Sequence, residues 1–98
     1  MKVRWTESAL TQLQAIHDYL AQTSPEYALR IVDRLTKRSI QIAAFPFSGR
    51  MVPEYEVNEV REVIEVPYRM IYLIVEATDQ LDVLAIIHTS REGRQLLE

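Results

Sequence analysis

Apolar and polar positions alternate at the start of the chain, Val3 and Trp5 against Lys2 and Arg4, which predicts a short first strand. The period then lengthens. Leu10, Leu13, Ile16 or His17, and Leu20 form one stripe at helical spacing. Thr6 stands where a cap belongs and Glu7 suits the first turn, so a helix is expected from there to about Thr23. Ser24-Pro25-Glu26 is a second start signal, a capping serine followed by proline and an acid. Ala28, Val32, Leu35 and Ile42 recur on one face of the second helix, with Ile31 beside them. Phe45-Pro46 stops it, because the residue before proline avoids helical geometry. Two helices with so short a link must run antiparallel as a hairpin.

Beyond Pro46 the period becomes two. Phe47 to Asn58 contains Ser48-Gly49-Arg50 and Pro53 and is expected to be an irregular connection. Three strands are predicted after it, Val60–Val66, Tyr68–Ala77 and Leu81–Thr89, with Pro67 and Thr78-Asp79 as punctuation. In the second of them, Tyr68, Met70, Tyr72 and Ile74 oppose Arg69, Ile71, Leu73 and Val75. Both faces are almost free of charge, which predicts a central strand covered on both sides. A short helix is expected over 91–98. The fold class is α+β: a strand, an antiparallel helical hairpin, then a three-stranded antiparallel meander, with the hairpin on one face of the sheet.

Composition narrows the chemistry. A chain of 98 residues has room for a single domain, 1–98, with one modest core. There is no cysteine, which excludes disulfides, thiolate metal sites and cysteine nucleophiles. With two histidines, no metal site and no cofactor are expected. No apolar run approaches the roughly 20 residues of a membrane span, and no secretory signal follows the N-terminal charges, so no membrane partner and a cytoplasmic location are expected. The net charge is −3, but it is uneven: residues 1–50 carry seven bases and four acids, residues 51–98 four bases and ten acids. Broad nucleic-acid binding needs a basic surplus for phosphate neutralisation, and that surplus is missing.

One spacing suggests a site. If Thr78 and Asp79 form a two-residue turn, Ala77 pairs with Gln80, Ile71 with Ile86, and Arg69 with His88. Arg91 follows three residues later. That register gathers Arg69, His88 and Arg91 at one end of the sheet; a slip of one residue breaks it. The bland reading is that these are solvated strand ends. Ser48, Thr89 and Ser90 have no base–acid arrangement around them, so a nucleophilic hydrolase is not expected.

The segments Gly49-Arg50-Met51-Val52-Pro53-Glu54, Val60-Arg61-Glu62, Pro67-Tyr68-Arg69-Met70-Ile71-Tyr72 and Ile86-Ile87-His88-Thr89-Ser90-Arg91, in this order and at this length, resemble the RelE/ParE superfamily of bacterial toxins. The resemblance implies the toxin half of a type II toxin–antitoxin system, held inactive in a hetero-oligomer by a cognate antitoxin. It also implies one of two targets. RelE-type members cut messenger RNA in the ribosome; ParE-type members inhibit DNA gyrase without being nucleases. Arg69 and Arg91 match basic positions of both branches. The nuclease branch typically adds lysines where this chain has Val60 and Glu62, a base where it has Ser90, and a tail tyrosine where it has Gln95-Leu96-Leu97-Glu98. The expectation is therefore a ParE-like gyrase inhibitor rather than an enzyme. The alternatives are a ribosome-dependent endoribonuclease using Arg69, His88 and Arg91, or a degenerate toxin that only binds antitoxin.

Arg61, Arg69, His88 and Arg91 are the candidates for toxicity or target binding. Arg30, Ile31, Arg34 and Arg38 on the second helix are the candidates for antitoxin binding, with a partner that offers apolar anchors and acids and adds a strand to the sheet.

Overall fold

Thr6 and Ser24 set the starts of the two helices. In a computed structural model that describes residues 1–91, Thr6 Oγ1 accepts the Ala9 amide at 3.2 Å and Ser24 Oγ accepts the Tyr27 amide at 3.2 Å. Each satisfies a first-turn donor that the helix cannot. α1 spans Glu7–Ala21 and α2 spans Pro25–Ala44. Their apolar stripes turn inward: Ala9, Leu13, Ile16 and Leu20 from α1, Ile31, Leu35 and Ile42 from α2. Two details of the expected stripes change. Ala9 is buried while Leu10 is 52% exposed, and Ile31 rather than Val32 is the deeply buried member of its pair.

The strands are β1 (Lys2–Trp5), β2 (Arg50–Met51), β3 (Val60–Glu65), β4 (Tyr68–Val75) and β5 (Gln80–His88), arranged as β1-β5-β4-β3-β2. β3, β4 and β5 form the expected antiparallel run with β4 in the centre. The sheet is nevertheless mixed and five-stranded, not a three-stranded meander: β1 joins β5 in parallel, and β2 adds to β3. Two residues of β2 are too short to display a period, which is why that segment reads as irregular connection. The expected helix over 91–98 lies outside the described residues beyond Arg91, whose backbone closes a turn at Thr89–Arg91.

Tyr68, Met70, Tyr72 and Ile74 face the helices and join Val63, Leu81, Val83 and Ile86 in the main core. On the other face Val60, Ile71 and Ile87 form a smaller cluster with Val52. The chain reaches this second face through a turn at Pro46–Ser48, which Tyr72 holds: its Oη donates to the Pro46 carbonyl at 2.6 Å and accepts the Gly49 amide at 3.2 Å.

The β4–β5 register differs from the one predicted. Residues Glu76–Thr78 make a turn that Asp79 closes in the left-handed region, at φ 51°. Aspartate tolerates that region because its short side chain can bond locally. Val75 therefore pairs with Gln80, and a bulge at Ile71/Tyr72 shifts the ladder once more. Arg69 ends opposite Ile87, and His88 opposite Tyr68.

Candidate functional site

That one-residue difference puts Arg69 and His88 on opposite faces of the sheet. The expected cluster of Arg69, His88 and Arg91 is thus divided. The Arg91 side chain lies outside the described residues.

Arg69 sits on the face away from the helices and is fully buried. Its Nε donates to Glu62 Oε1 at 2.7 Å and its Nη2 to Glu62 Oε2 at 2.9 Å, the bidentate geometry in which guanidinium and carboxylate match best. Arg50 Nη2 approaches the same Glu62 carboxylate at 3.1 Å, and Glu54 Oε1 stands 3.6 Å from Arg69 Nη2. Two arginines and two glutamates make a neutral quartet. Burial alone would push the Glu62 carboxyl up, but the bonds and charges of Arg69 and Arg50 outweigh it and hold the carboxyl below its ordinary value. The segment after β2 folds over this quartet, with Val52 packed on Val60, Ile71 and Ile87 and Glu54 reaching Arg69.

Glu62 is the residue that sequence reasoning left in the background. A signal for it exists. The Val66-Pro67 turn fixes the β3–β4 register, in which Ile64 faces Arg69 and Glu62 lies two residues along on the same face. At that diagonal two long side chains meet.

His88 faces the helices. Its ring meets Tyr68 edge-on, with centroids 5.4 Å apart and an interplanar angle of 85°. His88 Nδ1 accepts the Ser90 amide at 3.2 Å and lies 2.7 Å from Ser90 Oγ. An amide can only donate, so the neutral ring carries its proton on Nε2. These groups border a groove of about 510 Å³ between the hairpin and the sheet, lined among others by Ala15, Ile16, Tyr19, Tyr27, Tyr68 and His88. Apolar and aromatic walls with a few polar groups are what a docked side chain needs.

Arg61 is spent internally. Its Nε donates to the Asn58 carbonyl at 2.8 Å, Nη1 to the Gly49 carbonyl at 2.9 Å and the Phe47 carbonyl at 3.2 Å, and Nη2 to Asn58 Oδ1; its guanidinium also lies 5.2 Å from the Phe47 ring centre. On α2, Arg30 is exposed over the Tyr27 ring at 5.6 Å. Arg34 donates to Glu65 Oε2 at 2.8 Å and to the Val66 carbonyl at 2.9 Å. Arg38 reaches Glu65 at 3.6 Å and Gln41 at 3.3 Å. Ile31, grouped with these arginines as a partner contact, is a core residue at 2% exposure and presents nothing to solvent. A further ion pair, Arg4 to Asp82 at 2.9 Å, ties β1 to β5 and lowers the Asp82 carboxyl.

Among the described residues no group of three or more His, Asp or Glu side chains converges to hold a metal ion, and no helix is long and apolar enough to cross a membrane.

Three comparisons place this arrangement. Residues 3–93 match the family described as the ParE toxin of type II toxin–antitoxin systems. The chain is 34% identical to the toxin RelE2 of Caulobacter vibrioides over 90 residues, which are 92% of this chain and 97% of that one. Among solved structures, a chain of the chromosomal ParDE system of P. aeruginosa superposes with a TM-score of 0.71 at 26% identity, covering 90% of this chain and 95% of that one. The RelBE2 toxin–antitoxin complex of Mycobacterium tuberculosis shares the fold, at a TM-score of 0.65 and 19% identity, over 89% and 95%.

Proposed function

The chain belongs to the ParE toxin family of type II toxin–antitoxin systems, and from that premise we propose that it acts on a protein target, DNA gyrase, and is silenced by an antitoxin seated on the helical-hairpin side. The observation that carries the choice of target is the quartet around Arg69. Cutting RNA needs a base for the 2′-hydroxyl, a cation at the phosphate and an acid for the leaving oxygen, all converging on one spot. Here the central arginine is sealed and neutralised by Glu62, and His88 stands on the opposite face. A toxin that works by binding needs no such convergence.

Purified chain at micromolar concentration is expected to block supercoiling of relaxed plasmid by DNA gyrase. Full supercoiling in the presence of excess folded toxin refutes the reading. New cleavage ends on translated messages after induction, with supercoiling untouched, replace it with RNA cleavage.

The groove and the charge on α2 support an antitoxin seated on the helical-hairpin side. Tyr19 is 71% exposed at the groove and Leu29 62% exposed on α2, beside the cationic Arg30. An amphipathic segment with acids would cover both. Tyr19→Asp is expected to weaken antitoxin binding at least about 10-fold, since it sets a charge where an apolar anchor docks. Calorimetric titration of the variant measures this, and hydrogen exchange on the bound pair should show new protection along α2. Protection confined to residues 54–66 would move the docking surface elsewhere.

A further inference from the structure

A second surface stands apart from the groove, at the opposite edge of the sheet. Phe47, Met51 and Val57 are 40%, 43% and 41% exposed. Arg61 brings them together. It stacks on Phe47, pairs across the ladder with Met51, and bonds both the carbonyl and the side chain of Asn58, next to Val57. The segment is an irregular loop, yet it is tied down at several points. Tyr72 holds the Pro46–Gly49 turn, Arg61 holds Gly49 and Asn58, and Glu54 reaches Arg69. Glu56 has φ 50°, a left-handed backbone that a glutamate adopts only where its surroundings impose it. Apolar side chains on a pre-ordered loop lose little entropy on docking, and exposed ones gathered around one brace are suited to an interaction site.

The charge around them says what they meet. Residues 51–60 carry Glu54, Glu56 and Glu59 and no base; Glu54 is engaged by Arg69, which leaves Glu56 and Glu59 as the acids of the rim. Arg61, the cation at the centre, has its donors turned onto Phe47, Gly49 and Asn58. An acidic rim repels phosphate and favours lysine and arginine. We infer that this edge, Met51 and Val57 with the acidic loop between them, is the surface by which the toxin grips its target, and that the target presents a protein face of apolar side chains flanked by bases. The inference rests on the reading of the chain as a toxin directed at a protein, and it assigns the target to the β2 edge of the sheet and the antitoxin to the groove beside β5. Arg61 takes the role of a positioning residue behind the surface.

The test uses the full chain with two substitutions at exposed side chains, Met51→Ser with Val57→Ser, and the charge reversal Glu56→Lys. Leu10→Ser, an apolar loss on the outer side of α1, is the control. Growth arrest on induction and inhibition of purified gyrase are read in parallel, with thermal melts to show that each variant folds. The double substitution and the reversal are each expected to raise the half-inhibitory concentration at least about 10-fold and to relieve arrest, with the melt unchanged and Leu10→Ser equal to the parent. A double variant that folds and arrests growth as the parent does overturns the inference. If the parent arrests growth but leaves gyrase untouched, gyrase falls as the target while the arrest readout still judges the surface: relief supports it, persistence overturns it. A parent that neither arrests growth nor inhibits gyrase overturns both.

Discussion

Glu62→Ala is expected to lower the unfolding free energy by about 3–5 kcal/mol, because it removes the bidentate carboxylate partner of a fully buried guanidinium. Glu54, at 3.6 Å and more exposed, is a poor substitute. Replacing both partners by apolar side chains, Glu62→Met with Arg69→Met, removes the charges together and is expected to leave stability within about 1 kcal/mol of the parent. Urea denaturation of the three proteins measures the difference. A Glu62→Ala protein as stable as the parent would mean that water reaches the guanidinium. The same pair sets a pH dependence. The folded carboxyl of Glu62 lies below its ordinary value of 4.5. Its contribution is therefore complete above the unfolded value and drains away as pH falls through the folded one. Asp82 beside Arg4 acts in the same direction. The double methionine protein should lose less stability on acidification than the parent does.

Gly49→Ala is expected to cost about 2–3 kcal/mol, from overpacking alone. The backbone there has φ −72° and ψ 160°, which any residue adopts, so conformation is not the obstacle. Space is. A Cβ on Gly49 would stand 2.2 Å from Tyr72 Oη and 2.8 Å from the Glu62 carbonyl oxygen. The hydroxyl belongs to a side chain and the carbonyl to the centre of a ladder, so they yield differently. In a Tyr72→Phe background the hydroxyl clash disappears, while the ring carbon at 3.0 Å and the carbonyl remain. The added alanine should then cost measurably less than in the parent, and a double-mutant cycle from thermal melts gives the coupling. Additive effects would show that the phenol moves aside freely.

The helices were legible because their signals are local. Thr6, Ser24, Pro25 and the Phe45-Pro46 stop each act within one turn of themselves. The pairing of β4 with β5 was not, for a reason visible in the residues. Leu81 to Ile87 holds one charged side chain, Asp82, and a period of two can be read only where polar positions mark the face. A bulge in such a run leaves no trace in composition, and the side chains beyond it change sides. Arg69 accordingly went to the wrong neighbour, His88, when its partner was Glu62, seven residues upstream. The β3–β4 hairpin was predictable from Val66-Pro67, and with it the Glu62 diagonal. From the sequence Glu62 registered only as a position lacking a lysine, so the pair was not drawn. Arg61 was a candidate because it is an arginine in a family motif; sequence does not tell a contact from the brace behind one.

The parallel pairing of β1 with β5 has a consequence for biosynthesis. Lys2 to Trp5 leave the ribosome long before their ladder partners, Gln80 to Val83. Until then Thr6 has no Val83 carbonyl, and Arg4 has no Asp82. β4 meanwhile lacks its second neighbour, so two strand edges stand open in the nascent chain. Closure of these distant contacts carries a large loop entropy. A chain that lacks residues 80–83 therefore has no partner for β1 and no completed sheet.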